Sequence, residues 1–198
     1  FDRSYLATAV INGTAETGCF GMRAMWDNIP PLVTRLEELF PDAKGDQQCL
    51  NAAFGPLKFI HLARADKVAE AVSLVIAEQS GLWHRNADGS ELERVAPPAE
   101  PTYDADQIQT AYDTVTQGHD AWLHWFQANG ITPLSVAYED ISQAPQFHLH
   151  KILEFIGVDP ACATGVTPGT AQLANARNQA WSTRFRADAG LAPNALPT

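Results

Sequence analysis

Short apolar runs alternate with longer amphipathic stretches along most of this chain. Residues 18–22, 57–62 and 132–137 have the length and apolar character of buried strands, and a predicted helix follows each of them. Strands that alternate with helices indicate a parallel sheet with helices on its faces. The pattern therefore predicts an α/β fold in which helices flank a parallel sheet.

The predicted helices rest on apolar residues that recur at three- and four-residue intervals. One such stripe, which we expect to face the sheet, consists of Val68, Ala71, Val72, Val75 and Ile76. The helices cover residues 31–40, 66–83, 108–126, a segment after Asp140 that stops at Gly157, and 172–188. Residues 86–102 are rich in proline, glycine and charge, so we expect an exposed loop there.

Length, charge and cysteine content narrow the classes of function. The 198 residues fit one domain, which we expect to span residues 1–198, and the start at Phe1 rather than Met predicts a longer parent protein. A net charge of −10 argues against a surface for nucleic acid or for an anionic membrane. The three cysteines lack the pairing of a zinc motif, which suits a reduced, cytoplasmic protein. No apolar run is long enough to predict a membrane span.

The junction between the second strand and its helix carries the most informative chemistry. Arg64 ends the strand, and the helix that starts directly after it presents unpaired N–H groups and a partial positive charge. A guanidinium adds a planar set of donors that suits phosphate or sulfate. Ser73, off the centre of the apolar stripe, is either a solvated serine or a second contact to a phosphate held by Arg64. The junction thus predicts a site for a phosphorylated ligand.

Other polar residues have simpler interpretations. Asp66 and the pair Glu139 and Asp140 come at helix starts, where carboxylates complement the helix dipole, so we interpret them as caps. His61 lies near the end of the second strand, where open sheets bind ligands, and either contacts a ligand or packs in the core. The sequence contains no Ser–His–Asp order, no glycine-rich phosphate loop and no cluster of metal ligands, so we predict no metal site.

Two aromatic residues with polar neighbours are candidates for contact with a sugar. Arg23 and Trp26 follow the first predicted strand, where Arg23 could hold a charged group and Trp26 is either a stacking wall or a core anchor. Trp83 ends the second predicted helix close to Gln79, a mixture of aromatic and polar groups that suits carbohydrate but also ordinary packing.

These residues together resemble a known family, the bacterial trehalose sulfotransferases. The match rests on five motifs in the same order and at similar separations, namely residues 21–26, 64–67 with 71–73, Gln79 with Trp83, 138–140, and 173–181. The resemblance implies a P-loop-like parallel sheet and transfer of a sulfuryl group from 3′-phosphoadenosine 5′-phosphosulfate (PAPS) to a sugar or glycolipid hydroxyl, without a metal. Trehalose is the best-known acceptor of the family, and dimers occur in it, so a homodimer stays open.

The resemblance also implies roles for individual residues. Arg64 and Ser73 would hold the 3′-phosphate of the donor, and Arg177, in the late segment, would contact the same ligand. The surface from Arg23 and Trp26 to Gln79 and Trp83 would face the acceptor. Where the family pattern usually has lysine, this chain has Arg23, which keeps the charge but changes its geometry.

A second departure concerns the reaction itself. The family pattern begins with a strand, a Ser/Gly-rich loop for the 5′-phosphosulfate and a general-base glutamate, and the resemblance here starts after them. We therefore expect about the first third of the pattern to be missing, the catalytic residues to be unknown from this sequence, and the 198-residue chain to be inactive alone. Two alternatives stay open, a non-catalytic binding module with the nucleotide fold and a P-loop-type kinase of a small metabolite.

Overall fold

The computed structural model describes residues 2–16, 18–171, 173 and 175–192. It is a mixed α/β structure, as predicted. The helices are α1 (Arg3–Thr14), α2 (Ile29–Leu39), α3 (Asp46–Phe54), α4 (Lys67–Ser80), α5 (Ala105–Ala128), α6 (Tyr138–Gln143), α7 (Pro145–Ile156) and α8 (Ala176–Asp188). The strands are β1 (Ile60–Ala63), β2 (Leu82–Asn86), β3 (Glu91–Arg94), β4 (Leu134–Ala137) and β5 (Thr170–Ala171). Short 3₁₀ turns cover Trp26–Asn28 and Pro160–Ala163.

The chain divides into two compact units. The first unit consists of the described residues up to Phe59 together with Gly118–Pro133, and the second of Ile60–Gln117 together with the described residues from Leu134 onward. Because α5 continues through the point where the units divide, its first half belongs to the second unit and its second half to the first. Each unit has its own cluster of buried apolar side chains.

The first unit is helical in all its described regular elements. Helix α2 begins with prolines in its first turn, where the missing N–H has no intrahelical partner to lose, and it buries Val33 and Leu36. Trp125 of α5 is also buried, and its indole N–H donates to the carboxylate of Asp46 at 2.7 Å. The predicted helix at residues 31–40 is thus confirmed and begins two residues earlier.

The second unit contains a pair of parallel strands. Strand β1 pairs with β4, and the register places Ile60 opposite Leu134 and Ala63 opposite Ala137. Helix α4 packs against α8, with Val72 of α4 and Phe185 of α8 in one buried cluster. The apolar stripe predicted on α4 is confirmed as buried, with four of its five members buried and Ile76 half-buried. The pattern predicts that it faces the sheet, but it shares its cluster with Ile108 of α5 and Phe185 of α8, and no described strand residue belongs to that cluster.

A small antiparallel sheet follows α4 in the second unit. Its strand order is β3-β2-β5, and β2 pairs with both neighbours. Gly81, with φ of +70°, ends α4 in the left-handed conformation that glycine adopts without strain. The predicted helix at residues 66–83 is therefore wrong at its end, and Trp83 lies in β2 rather than at a helix end.

Two further expectations from the pattern need correction. Residues 18–22 form no strand: the segment that follows Gly18 up to Met25 has no regular structure, because two glycines weaken it and no strand of the described first unit is there to pair with it. The predicted loop at residues 86–102 contains β3, whose charged Glu-Leu-Glu-Arg sequence suits an exposed edge strand. The parallel sheet therefore has two strands among the described residues instead of the predicted three.

Of the remaining helices, α5 and α8 agree with the pattern except at their ends. The single helix expected between Asp140 and Gly157 is instead two, α6 and α7, because Ala144 leaves the helical conformation before Pro145. Helix α5 covers the predicted 108–126, and Gly157 ends α7 in the left-handed conformation. The final helix begins at Ala176 rather than at residue 172, because Asn175 caps it by accepting from the Arg177 backbone N–H at 2.9 Å; residues 172 and 174 lie outside the described residues. None of the helices in the described part of the chain combines the length and apolar character that a bilayer crossing requires.

Candidate functional site

The register of the two parallel strands brings the candidate residues of the second unit side by side. Ala63, the last residue of β1, pairs with Ala137, the last residue of β4. The residues that follow the two strands, Arg64 and Tyr138, therefore lie side by side at the carboxyl ends of β1 and β4. Open parallel sheets bind their ligands at this end of the strands, which we call the carboxyl edge.

Arg64 lies against Tyr138 and beside Glu139. Its guanidinium carbon is 4.7 Å from the centre of the Tyr138 ring, within cation–π distance. Its Nε is 3.8 Å from Oε1 of Glu139 and, although buried, has no hydrogen-bond partner. The side chain is 19% exposed, so a ligand could reach it. A half-buried arginine with an unsatisfied donor is a chemically reasonable contact for an anion.

The start of α4 is occupied by carboxylates of the protein itself. Glu139 accepts hydrogen bonds from the backbone N–H groups of Ala65, at 3.1 Å, and Asp66, at 3.4 Å. Asp66 in turn accepts from the backbone N–H of Ala69 at 2.9 Å. The cap predicted at Asp66 is confirmed, whereas Glu139 caps neither helix: it lies in the first turn of α6 and binds the N–H groups of the two residues just before α4. The N–H groups of Ala65, Asp66 and Ala69 are therefore not open to an external anion, while the Arg64 guanidinium is partly exposed.

Sequence reasoning missed a second arginine near the start of α4. Arg186 of α8 is buried, and its Nη2 donates to Oδ1 of Asp66 at 2.5 Å. The sequence contains arginines at 177, 184 and 186, and the weak segregation of apolar residues along this helix gave no sign of which one faces the core. The sequence signal for a buried position here was the large apolar residue Phe185 next to Arg186, and the structure buries both.

Arg177 occupies the other end of α8. It lies in the first turn, and its guanidinium pairs with the carboxylate of Glu100. Nine residues separate it from Arg186, which corresponds to about 13 Å along the helix axis. Since Arg186 is the residue that reaches Asp66, the structure does not bring Arg177 to Arg64.

Ser73 and Gln79 lie further along α4. Ser73 is half-buried, and its hydroxyl makes no hydrogen bond to the residues that the structure describes. Gln79 is engaged on both ends of its amide, since Nε2 donates to Oε1 of Gln107 and Oε1 accepts from the Thr102 backbone N–H, each at 2.8 Å. These bonds tie the end of α4 to Thr102, before α5, and to Gln107 in the first turn of α5.

The aromatic candidates differ in how they are satisfied. Trp83 is half-buried in β2, and its indole Nε1 is buried without a hydrogen-bond partner. Trp26 belongs to the first unit and packs edge-on against Trp122, with ring centres 5.4 Å apart. Its packing supports the core-anchor interpretation. Arg23, also in the first unit, is exposed.

The residues before α5 are tied to α8 by the half-buried phenol of Tyr103. The hydroxyl of Tyr103 donates to Oδ2 of Asp188 at 2.6 Å, and the guanidinium of Arg184 lies 3.8 Å from the ring centre. Burial and the hydrogen bond to Asp188 raise the pKa of Tyr103 to about 12. Tyr103 is therefore neutral in the folded protein and acts as a structural donor.

A cavity of about 520 Å³ adjoins the candidate site in the second unit. It lies between α6, α7 and the segment that leads into β5, and most of its lining is apolar. The lining includes Tyr138, Ile141, Leu149, Val166, Pro168 and Ala171. Because Tyr138 contacts both the cavity and Arg64, an apolar space and a cation are neighbours here. Among the described residues, no group of three or more His, Cys, Asp or Glu side chains is placed to hold a metal ion.

Comparison with known proteins identifies the family. The model of the Stf0 sulphotransferase family matches residues 1–188. The chain belongs to this family. The resemblance expected from the sequence is thereby confirmed.

Two relatives of this Stf0 chain carry the name trehalose 2-sulfotransferase. The protein from Mycobacterium tuberculosis strain Erdman is 29% identical over 183 residues, which cover 90% of this chain and 64% of that protein. The protein from Mycolicibacterium smegmatis is 27% identical over 190 residues, which cover 94% of this chain and 67% of that protein. The chain thus spans about two thirds of the length of these relatives.

Proposed function

We propose that the protein to which this chain belongs transfers a sulfuryl group from PAPS to a sugar hydroxyl. Membership of the Stf0 family and the names of the two relatives support this reaction. The observation that carries it in the structure is the guanidinium of Arg64, which lies at the carboxyl edge of two parallel strands with a buried donor unsatisfied and an apolar cavity beside it.

The donor would bind with its phosphate on Arg64. A phosphate within reach of that guanidinium would form a charge-assisted contact, and the adenosine part would find apolar surface in the cavity of about 520 Å³ beside Tyr138. Ser73 would add its hydroxyl to the 3′-phosphate, since it has no other hydrogen bond among the described residues. Arg177, distant along α8 from the residue that reaches the start of α4, would contact a different part of the same donor after leaving Glu100.

The acceptor would be a carbohydrate such as trehalose. The unsatisfied indole N–H of Trp83 supports a role for this side chain, because a sugar hydroxyl could accept from it while the ring packs on the sugar face. We also propose acceptor contacts for Arg23, Trp26 and Gln79. Trp26 already packs against Trp122, and the amide of Gln79 is already bonded at both ends.

The proposed reaction needs a base and needs no metal. The acceptor oxygen would attack sulfur, the bond between sulfur and the 5′-phosphate oxygen would break, and the hydroxyl proton would pass to the base. Adenosine 3′,5′-bisphosphate would leave with the electron pair of that bond, so negative charge would develop on its 5′-phosphate. The residues named above would bind the donor and the acceptor, and none of them is assigned as the base. We therefore propose that the 198-residue chain alone is inactive.

Calorimetric titration with adenosine 3′,5′-bisphosphate tests the donor site. In the protein at its full natural length, Arg64→Ala should weaken binding by about 2–3 kcal/mol, the range for a hydrogen-bonded charged contact. Arg35→Ala is the matched control, because Arg35 is exposed on α2 and its one ion pair among the described residues is with Glu38, three residues on. Equal affinity of the Arg64→Ala variant and the unsubstituted protein would remove the site assignment.

A binding module is the second candidate function, and one observation favours it. Glu139 already binds the N–H groups of Ala65 and Asp66 just before α4, and Asp66 binds that of Ala69, so fewer donors are open to an anion here than at an uncapped helix N-terminus. Incubation with PAPS and trehalose, followed by mass spectrometry, separates the two candidates. Sulfated trehalose supports the enzyme, and bisphosphate binding without any sulfated sugar supports the module.

A further inference from the structure

One carboxylate from the helix after β4 holds the turn that carries Arg64. Glu139 accepts from the backbone N–H groups of Ala65 and Asp66, one on each carboxylate oxygen. Its Oε1 also lies 3.8 Å from Nε of Arg64. We propose that Glu139 is a positioning residue for Arg64, which it holds in the orientation that receives the donor phosphate. This inference rests on the proposed function.

The backbone contacts fix the place from which the arginine projects. Ala65 and Asp66 directly follow Arg64, and both of their N–H groups point to the same carboxylate. Asp66 is held further by Arg186 and by its cap on Ala69. A turn with two N–H groups bound to one rigid acceptor has little freedom to rotate. The starting point of the Arg64 side chain is therefore set by Glu139.

The guanidinium is restrained on two sides. Tyr138 covers one face, with 4.7 Å between the guanidinium carbon and the ring centre, and the Glu139 carboxylate lies on the Nε side. The two Nη atoms make no hydrogen bond with the residues that the structure describes, and the approach to Glu139 is made by Nε. The outer edge of the guanidinium, which is the edge that binds a phosphate with two parallel hydrogen bonds, is the part left for a ligand.

Positioning and simple electrostatics predict opposite effects of removing the charge of Glu139. A negative charge 3.8 Å from the arginine repels a phosphate, so its removal alone should tighten binding. Glutamine keeps the size of the side chain but turns an NH₂ group toward one of the N–H donors that the carboxylate now satisfies. If orientation of Arg64 decides affinity, Glu139→Gln should weaken binding despite the lost repulsion.

The test uses two nucleotides that differ by one phosphate. Calorimetry on the protein at its full natural length compares adenosine 3′,5′-bisphosphate with adenosine 5′-monophosphate, which lacks the 3′-phosphate. We expect Glu139→Gln to raise the Kd for the bisphosphate about tenfold, the effect of losing one charge-assisted contact, and to leave the monophosphate unchanged. The matched control is Asp140→Asn, because Asp140 is the exposed neighbour whose carboxylate makes no hydrogen bond among the described residues.

A double variant shows whether Glu139 acts through Arg64. In the Arg64→Ala background, Glu139→Gln should no longer change the Kd for the bisphosphate. Tighter or unchanged binding of the bisphosphate by Glu139→Gln, an equal loss for both nucleotides, or a loss that persists without Arg64 would each overturn the inference. If Arg64→Ala itself leaves the bisphosphate affinity unchanged, the proposed donor site fails as well, so the two failures are distinguishable.

A milder substitution covers the case in which Glu139→Gln does not fold. Glu139→Asp keeps the charge but is one methylene shorter, so it cannot reach both backbone N–H groups at the present distances. We expect it to raise the bisphosphate Kd by about threefold, between the unsubstituted protein and the glutamine variant. Unchanged bisphosphate affinity in a folded Glu139→Asp variant would overturn the positioning role.

Discussion

Replacement of Arg186 by methionine should destabilise the second unit by less than replacement of Asp66 by asparagine. The two side chains form an ion pair at 2.5 Å between α8 and the start of α4. Their exposure is unequal, since the arginine side chain is 9% exposed and the aspartate side chain 25%. Each substitution removes one charge and leaves the other without its partner. The loss of stability is larger when the charge that remains is the more buried one, and Arg186 is the more buried of the two.

The contacts of the remaining partner give the magnitudes. Arg186→Met leaves a carboxylate that water reaches and that still accepts from the Ala69 N–H at 2.9 Å, so we expect a loss of about 2 kcal/mol. Asp66→Asn keeps an oxygen for that cap, because asparagine caps helices as well as aspartate. It leaves a buried guanidinium without its counter-charge, which should cost about 3–4 kcal/mol. The double variant should cost less than the sum, with a coupling of about 1–2 kcal/mol.

Fluorine NMR of protein labelled with 5-fluorotryptophan can follow the second unit by itself during urea unfolding. Trp181 lies on α8 and Trp83 in β2, whereas Trp26, Trp122 and Trp125 belong to the first unit. The resonances of Trp83 and Trp181 therefore report the free energy of unfolding of the unit that contains the ion pair. The signals of the first unit show whether unfolding is two-state.

Two results would refute this reasoning. One is a loss below about 0.5 kcal/mol for Arg186→Met, the value of an exposed ion pair, which would mean that water reaches the pair freely. The other is a larger loss for Arg186→Met than for Asp66→Asn, which would mean that the aspartate is the more desolvated partner. The control variant Arg184→Met removes a neighbouring arginine that is 63% exposed in its pair with Asp188. Because it also loses the cation–π contact with Tyr103, we expect it to lower the unfolding free energy by up to about 1 kcal/mol, less than Arg186→Met.

Two further predictions concern the second unit. Gly81→Ala should destabilise it by about 3 kcal/mol, because the residue has φ of +70° and the new Cβ would lie 2.7 Å from the carbonyl oxygen of Ala96; Gly89→Ala, with φ of +87° but open space around it, should cost only about 1 kcal/mol in the same urea titration. Tyr103 stabilises the fold while it is protonated, and its pKa is raised in the folded state from 10 to about 12. Its contribution is therefore complete below pH 10 and lost as the pH rises toward about 12. The difference in unfolding free energy between the unsubstituted protein and Tyr103→Phe should shrink over that interval, and a constant difference would contradict the raised pKa.

The sequence pattern correctly predicted those features of the fold that depend on residues close together in the chain. The stripe of α4 and the cap at Asp66 follow from residues within one helix, and so does the stop at Gly157. The helix and strand boundaries that were predicted wrongly depend on pairing with residues elsewhere in the chain. Trp83 continues the apolar run of α4, and only the pairing of β2 with β3 and β5 makes it a strand residue. The charges of Glu91 and Arg94 hid β3, because alternation cannot be read in four mostly charged residues.

The candidate site shows the same division. Arg64 could be predicted from the strand-to-helix junction that contains it, because its location depends on adjacent residues alone. The contacts of Glu139 and Arg186 could not, since they reach the start of α4 from positions 74 and 120 residues away. The cavity beside Tyr138 likewise depends on how α7 and the segment before β5 pack. A pattern read along the chain contains no information on these tertiary distances.

The pairing of β1 with β4 has a consequence for how the protein acquires its binding edge. The bond between the Ala65 N–H and Glu139 spans 74 positions, and residues 118–133, which belong to the other unit, lie between them. Closure of so long a loop loses conformational entropy before native contacts compensate, and parallel pairings of this kind form slowly. In a nascent chain, Arg64 therefore lacks this carboxylate until Glu139 has emerged from the ribosome. The donor site proposed at Arg64 would then be completed only after β4 has joined β1 and the later segments have packed beside it.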